Sequence, residues 1–387
     1  THEYYFDIHP PLGKLLIAGF AKLFDFRPEF SFANIGDAFP DSKYLALRFL
    51  PSLAGSLLPV IIFLFALEAG LSRRAAFVAG LLIALENGLL VQTRFILMDG
   101  FLILFGFLSL LFYFKKKPIP TGIFAGLAVS IKWTGLTFLA IMLILEAVKL
   151  FKTRDFRRVL PTAIKLLAVP ILVYFAVFAV HFSFLTKSGP GDAYMSQGFH
   201  DKGVLGKFVE LNTEMYRSNQ RLTAGHPYSS GWYTWPFMAR SIFYWVDGDP
   251  STGSGQVARI YFLGNPAVWW ASGIGVIFGI LYLVLNTGKK QKKIDKILIS
   301  LFGAYLLNLL PFIGIQRVMF LYHYMIAMVF AVLMLVYLID KIKTRRKIFA
   351  GLIIASAISF IYFAPLSYGL SLSPKAYGAR VWFPGWK

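Results

Sequence analysis

The sequence contains no cysteine, and only 15% of its 387 residues carry a charge. Without cysteine the chain can form no disulfide and can use no thiol chemistry. A soluble domain has a charged fraction of about a quarter, so the low value argues against one. No HExxH motif and no acidic cluster calls for a metal, and we expect no cofactor. These absences leave a membrane protein as the class to examine.

Apolar residues make up 57% of the chain, and its mean hydropathy is +0.64. Long apolar runs recur between short Lys/Arg clusters, near the roughly 20 residues that a membrane helix needs. This pattern predicts an all-α polytopic membrane protein with about ten transmembrane helices. The predicted spans are 45–68, 75–93, 96–114, 119–131, 133–150, 162–185, 264–286, 296–314, 319–340 and 347–365.

The formal net charge of +20 would suggest a nucleic-acid partner in a soluble protein, but its distribution is a topology signal. Twenty Lys and Arg residues cluster between alternate pairs of spans, against three in the short opposite connections: Arg94, Lys132 and Arg317. The positive-inside rule places the clusters in the cytoplasm, with some attraction to anionic lipid and no nucleic-acid partner.

The opening stretch, the long loop 186–262 and the tail then lie outside. Either the outer loops are simply larger, or the chemistry is on that face. The clusters lie at 73–74, 115–117, 149–158, 289–296 and 341–347.

The stretch FDIHPPLGK at 6–14 precedes a short apolar run. Pro10 keeps His9 extended, and the second proline suits a first helical turn. A helix from there to Asp25 would span about 22 Å at 1.5 Å per residue, too short for a membrane core of about 30 Å. We interpret it as a helix in the outer interface that holds Asp7 and His9 over the membrane surface. The alternative is an ordinary loop entering a span. The predicted apolar side carries Leu12, Leu15, Leu16, Phe20 and Leu23.

FDIHPPLGK resembles the signature of the protein O-mannosyltransferases, GT-C membrane glycosyltransferases that use a polyprenyl-phosphate mannose donor. The tail, PLSYGLSL followed by VWFPGW, also fits this family. The resemblance covers essentially the whole chain. Six further stretches resemble the family in the same order: LRFLPSLAG (47–55), QTRFILMDG (92–100), AVSIKWTG (128–135), HPYSSGWYTWPFMARSIFYW (226–245), GNPAVWW (264–270) and FLYHY (320–324).

The resemblance implies a GT-C bundle over 1–365, which includes the outer loop 186–262, and an outer tail at 366–387. It implies mannose transfer from polyprenyl- or dolichyl-phosphate mannose to Ser/Thr hydroxyls of secreted or membrane proteins. The reaction would occur on the non-cytoplasmic face, and the membrane would be the plasma membrane if the source is a prokaryote.

Two departures from the family pattern matter. The family has eleven spans, and an Asp-Glu pair after the first carries the catalytic base. The resemblance therefore places that span and the base upstream of Thr1. Eukaryotic members also carry a soluble MIR domain of about 200 residues in the large outer loop. Segment 186–262 is too short for one, so the chain resembles the compact, prokaryote-type form.

The chemistry needs cations and a base. The leaving phosphate is already anionic and needs fixed positive charge, while the acceptor hydroxyl needs a carboxylate base. Arg48 at a span's outer end and Lys132 at a tight outer turn both stand in family motifs, and we predict that they bind the donor phosphate. Arg94 and Arg317 also lie at outer ends. Arg and Lys at helix ends can instead snorkel to the surface, and for Arg317 both readings stay open.

Other candidates are polar or aromatic. Asp99 begins an apolar helix, and we predict a sugar-binding or structural acid paired with Arg94; the alternative is an acid that satisfies free N–H groups at a helix start. Asp7 is the acid nearest the missing segment and a weak candidate for contact with the acceptor. His9, Tyr322 and His323 are candidates for donor binding.

The aromatic loop 226–245 allows two interpretations. It could form an interfacial belt, or it could line a groove for an extended acceptor peptide. For the groove we predict His226, Trp232, Trp235 and Arg240.

Two rival functions remain at this point. One is a GT-C transferase that adds a sugar to a lipid or glycan. The other is a transporter, which often shows inverted repeats and broken helices. No internal repeat is visible, and the polar groups cluster at one face, which favours a transferase.

Overall fold

A computed structural model describes residues 2–27, 39–222, 224–247, 255–286 and 295–387. Most of the predicted basic connection at 289–296 and part of the outer loop at 248–254 lie outside these residues. The elements are α1 (Leu12–Leu23), α2 (Leu45–Glu68), α3 (Arg73–Ala84), α4 (Asn87–Arg94), α5 (Asp99–Phe114), α6 (Pro118–Ile131), α7 (Leu136–Thr153), α8 (Phe156–Phe184), α9 (Val204–Arg221), β1 (Ile242–Asp247), β2 (Val257–Phe262), α10 (Pro266–Asn286), α11 (Lys296–Leu307), α12 (Met325–Asp340), α13 (Arg345–Tyr368), β3 (Ser371–Leu372) and α14 (Pro374–Gly378).

The apolar helices match the predicted spans. Within the described residues, seven helical segments are long and apolar enough to cross a membrane, and the pair α3 and α4 forms an eighth that is bent by 56°. The shorter apolar helices α5 and α6 correspond to the remaining two predicted spans. The chain is an integral multi-pass membrane protein. The segments are 42–68, 133–153, 159–184, 266–286, 296–314, 321–340 and 345–368.

The first of two compact units comprises residues 1–25, 101–224 and 316–318. Its helices approach closely at glycines, where there is no room for a larger side chain. A Cβ at Gly126 on α6 would lie 2.9 Å from the carbonyl oxygen of Pro170 on α8, and one at Gly106 on α5 would lie 2.1 Å from the ring of Phe138 on α7. The amphipathic helix α9 was not predicted from the sequence, and it closes an aromatic core with the opening stretch and α8. That core is Tyr4, Phe178, Phe182, Phe199, Leu211 and Met215.

Helix α1 confirms the predicted short helix after the two prolines. It runs for 12 residues, from Leu12 to Leu23. Its buried residues include Ile17 and Ala21, whereas Leu23 is 80% exposed. The buried side of the helix therefore differs from the predicted apolar side. The helix packs on α6 through one edge and leaves some apolar side chains, such as Leu23, uncovered. Its location in a membrane interface stays a prediction.

The second unit comprises residues 26–100, 225–315 and 319–387. Helix α12 is its centre, buried along nearly its whole length and packed against α3, α10 and α11. A small antiparallel sheet in the order β1-β2-β3 adds a feature that the helical prediction did not include. Its register pairs Ile242 with Phe262 and Val257 with Leu372.

The predicted span 75–93 is broken between α3 and α4 because a carboxylate occupies the break. Glu86 is 1% exposed, and its Oε2 accepts the backbone N–H of Leu89 at 2.6 Å, which caps α4. Its Oε1 accepts the N–H of Asn265 at 2.6 Å, before α10. These bonds satisfy N–H groups that a helix start leaves free. The break therefore sets the direction of α4, which ends at Arg94.

Candidate active site

Arg48 lies in the first turn of α2, and aromatic rings surround its guanidinium. The guanidinium carbon is 4.9 Å from the ring centre of Tyr44, 5.4 Å from that of Phe95 and 5.5 Å from that of Phe39. Its Nε is buried and donates no hydrogen bond. In the part of the chain that the structure describes, no carboxylate pairs with Arg48. The predicted contact of Arg48 with the donor phosphate stays a prediction, and its buried Nε is a donor without an acceptor.

Arg94 ends α4, and its guanidinium donates to the carbonyl oxygen of Ser367 at 3.2 Å. It also lies 4.5 Å from the ring centre of Tyr368. The predicted ion pair with Asp99 is not formed among the described residues. The physical reason is that Arg94 contacts the C-terminal end of α13, where the helix dipole is negative.

Asp99 begins α5, is 5% exposed, and accepts a hydrogen bond from Nε2 of Gln92 at 2.8 Å. Oε1 of Gln92 accepts from the hydroxyl of Tyr244 at 2.5 Å. Burial raises the pKa of Tyr244 well above its usual range, and the charges of Asp99 and Tyr322 raise it further. The hydroxyl therefore stays protonated and keeps the chain of donors ordered.

Gln92 and Tyr244 were not predicted as site residues, although both lie in the quoted motifs. The available signal was an amide two residues before Arg94, in a segment that is otherwise apolar. Nothing in the sequence says which of the loop aromatics would reach it, because Tyr244 arrives from a strand more than a hundred residues away.

Trp235 corrects the prediction of an acceptor contact. It is fully buried, and its Nε1 donates to the carbonyl oxygen of Ser230 at 3.2 Å. Its ring stacks on His323 at 5.7 Å, and His323 stacks on Tyr322 at 4.4 Å. Trp235 therefore supports His323 from inside the second unit and offers no surface to a peptide.

The other predicted loop residues are more accessible. His226 is exposed, with its ring 5.0 Å from that of Phe320. Arg240 is exposed and donates to the carbonyl oxygen of Pro227 at 2.6 Å, which holds the turn after His226. Trp232 is half-buried. Contact of these three with an acceptor stays a prediction.

In the first unit, Asp7 accepts the backbone N–H of His9 at 2.7 Å and forms an ion pair with Lys14. The predicted cluster of FDIHPPLGK is thus an internally bonded turn at the start of α1. A cavity of about 10 Å³ beside it has room for about one water. Lys14 and the buried His181, neither of which was predicted as a site residue, are among its lining residues: Tyr5, Asp7, His9, Pro11, Lys14, His181, Leu211 and Met215.

Lys132 occupies the predicted break after α6. Its backbone is extended, with φ −151° and ψ 145°, before a 3-10 turn at Trp133–Gly135. This break separates the two short spans, as predicted. Elsewhere in the first unit, Arg317 donates to Oδ1 of Asn219 at 2.7 Å, and Nδ2 of Asn219 donates to the carbonyl oxygen of Ile8 at 2.9 Å. Arg317 therefore helps to fix the opening stretch.

No group of three or more His, Cys, Asp or Glu that could hold a metal ion occurs among the described residues.

The fold is shared with solved membrane glycosyltransferases. The structure of the Saccharomyces cerevisiae protein O-mannosyltransferase Pmt1–Pmt2 complex bound to the sugar donor matches with a TM-score of 0.90 at 20% identity, over 100% of this chain and 87% of that one. The oligosaccharyltransferase of Archaeoglobus fulgidus in the apo form matches with a TM-score of 0.54 at 14% identity, over 98% of this chain and 51% of that one. The helical bundle is that of the GT-C class.

Sequence comparison gives the family. The model described as dolichyl-phosphate-mannose-protein mannosyltransferase matches residues 1–186. The model for the C-terminal four-helix transmembrane region of protein O-mannosyltransferase matches residues 204–386. The chain belongs to the protein O-mannosyltransferase family.

Relatives of established name are longer than the matched region. Protein O-mannosyltransferase 1 of Drosophila pseudoobscura is 35% identical over 220 residues, which are 51% of this chain and 24% of the relative. Dolichyl-phosphate-mannose–protein mannosyltransferase 1 of Candida albicans is 30% identical over 254 residues, which are 59% of this chain and 29% of the relative. The matches thus span less than a third of these relatives' own length.

Proposed function

We propose that this protein transfers mannose from a polyprenyl-phosphate mannose donor to Ser or Thr hydroxyls of proteins. The family supports the reaction type, and the GT-C bundle supports a donor that is anchored in lipid. The donor, the acceptor and the activity are each part of this proposal.

The observation that carries the proposal is the unused positive charge around Arg48. Its guanidinium is half-buried among three rings, and its buried Nε has no acceptor; none of the described carboxylates pairs with it. A partly buried cation is costly unless something pairs with it. Arg94 directly precedes Phe95, whose ring centre lies 5.4 Å from the guanidinium carbon of Arg48, so a second cation lies in the same part of this unit. A lipid phosphate would supply the anion that Arg48 needs.

The polar chain Asp99–Gln92–Tyr244 is the proposed contact for the sugar. Its central residue, Gln92, lies two residues before Arg94. Hydrogen bonds hold its acid, amide and hydroxyl in this order. Sugar hydroxyls both donate and accept hydrogen bonds, so a mixed set of partners suits them. The departing phosphate would keep its charge against Arg48 and Arg94, and no acid would be needed to protonate it.

The acceptor peptide is assigned to the accessible part of the aromatic loop, at the exposed His226 and Arg240 and the half-buried Trp232. A base must still take the hydroxyl proton. Asp7 is already held by Lys14 and by the N–H of His9, which favours a structural role for it. The predicted roles of Lys132 and His9 in binding the donor stay predictions.

We place the reaction on the non-cytoplasmic face, because the basic residues cluster on the other side of the predicted spans. The chain has no native cysteine, so single cysteines report location directly. Ser229→Cys and Ser371→Cys should react with a membrane-impermeant thiol reagent in intact cells. Labelling that requires permeabilised cells would reverse the proposed topology.

The activity is tested with purified protein, polyprenyl-phosphate mannose and a Ser/Thr-containing peptide. We expect mannosyl peptide as the product. A parallel reaction with a polyprenyl-linked glycan as acceptor distinguishes the rival transferase: sugar on the glycan and none on the peptide would assign the chain to that reaction.

A further inference from the structure

Ser367, near the end of α13, contacts α4 through two different atoms. Its hydroxyl oxygen accepts from Nδ2 of Asn87 at 2.9 Å, and its carbonyl oxygen accepts from the guanidinium of Arg94 at 3.2 Å. Asn87 is fully buried, and Ser367 is 3% exposed. Asn87 is the first residue of α4 and Arg94 is its last, so both ends of this short helix are tied to one residue.

The carbonyl of Ser367 is available because α13 ends there. Gly369 has a left-handed backbone with φ +68°, which terminates the helix. The next N–H, that of Leu370, donates to the carbonyl of Pro365 at 3.0 Å. A carbonyl in the last turn has no partner within its helix, and Arg94 provides one. Tyr368 adds its ring face to the same guanidinium.

The bond between Asn87 and Ser367 lies deep in an apolar bundle, where little else can replace it. Asn87 also donates to the carbonyl oxygen of Phe360 at 3.3 Å, about two helical turns before Ser367 on α13. A buried amide without partners is costly in such surroundings. The pair therefore locks α13 against the start of α4.

We propose that Asn87 and Ser367 are positioning residues that hold the guanidinium of Arg94 in place for the donor phosphate. The proposal rests on the proposed function, since it assigns the purpose of Arg94 to that phosphate. Ser367 acts through its carbonyl, and the Asn87 bond to its hydroxyl keeps that carbonyl in register. Neither side chain needs to touch the donor.

Ser367→Ala provides the test, because it removes the hydroxyl and leaves the carbonyl that Arg94 uses. The KM for polyprenyl-phosphate mannose should rise about two- to tenfold, the range for one neutral hydrogen bond, with kcat changed less than about twofold. Ser367→Thr, which keeps a hydroxyl, should restore most of the loss. Ser359→Ala is the matched control: its hydroxyl is buried on the same helix without a partner, and its loss should leave KM unchanged.

A double-mutant cycle with Arg94→Ala separates positioning from general damage. In the Arg94→Ala background, Ser367→Ala should raise KM by clearly less than it does in the wild-type background. The same increase in both backgrounds would overturn the positioning role, as would an unchanged KM in the single variant. If Arg94→Ala itself leaves KM unchanged, the phosphate site fails instead, and the two failures are thereby distinguished. Melting temperatures in detergent show whether each variant is folded.

Discussion

The charged groups of the first unit and those around Arg48 in the second unit differ in how they are satisfied. In the first unit, Asp7 pairs with Lys14, and the carboxylate of Asp192 lies 2.8 Å from Nε2 of His200. In the second unit, Arg48 has three rings around it and no acid among the residues that the structure describes. Paired charges near water stabilise local structure by modest amounts, whereas a half-buried cation that only aromatic rings contact gains most of its stabilisation when an anion binds. The contrast distinguishes charged groups with a structural role from those that we propose to bind a ligand.

The largest expected effect follows from removing the unpaired cation. Arg48→Ala should lower kcat/KM for the donor about ten- to a hundredfold, because one charge-assisted contact contributes about 1.5–3 kcal/mol. Steady-state kinetics with varied donor measure it. The matched control is Arg74→Ala, an exposed arginine in the predicted cytoplasmic cluster at the start of α3. An equal loss in both variants would remove the distinction between paired and ligand-binding charge.

A smaller effect is expected from the rings around Arg48. Phe95→Leu keeps an apolar side chain but removes one ring face, and a cation–π contact contributes about 0.5–1 kcal/mol at exposed sites. We therefore expect a rise of about two- to fivefold in the donor KM, with kcat unchanged. A fall in kcat at constant KM would show that Phe95 acts on the chemical step rather than on Arg48.

The smallest effect is expected where the charges are already paired. Asp7→Asn and Lys14→Met should each change the free energy of unfolding by less than about 1 kcal/mol, since both side chains are only partly buried and ion pairs that water reaches contribute little. Thermal melting in detergent measures this, and both variants should lose activity to the same small extent. If Asp7→Asn lost far more activity than Lys14→Met, Asp7 would be a catalytic group.

The sequence predicted the membrane helices well because their signal is local. An apolar run that is long enough to span a membrane predicts a helix without information from the rest of the chain. For α2, the predicted and observed limits are both 45–68. The break at Lys132 was also predicted, since a charged residue followed by a Trp-Thr-Gly turn interrupts an apolar run. Arg48 was selected from its place at the end of such a run, and its contact with the donor phosphate stays a prediction.

What the sequence could not predict depends on partners that are distant along the chain. The third strand has two residues and pairs with a strand more than a hundred positions earlier. Arg94 was assigned to Asp99, five residues away, but it contacts Ser367. Trp235 was predicted to line a groove for the acceptor, but it is fully buried. Each of these depends on how segments pack, which periodicity and composition do not encode.

Binding of polyprenyl phosphate to the wild type and to Arg48→Ala tests the central claim most directly. The unphosphorylated polyprenol serves as the matched ligand. The account predicts that Arg48→Ala raises the Kd for the phosphate about ten- to a hundredfold and leaves the Kd for the alcohol unchanged. Equal changes for both ligands, or none for the phosphate, would contradict the assignment of Arg48 to the donor phosphate.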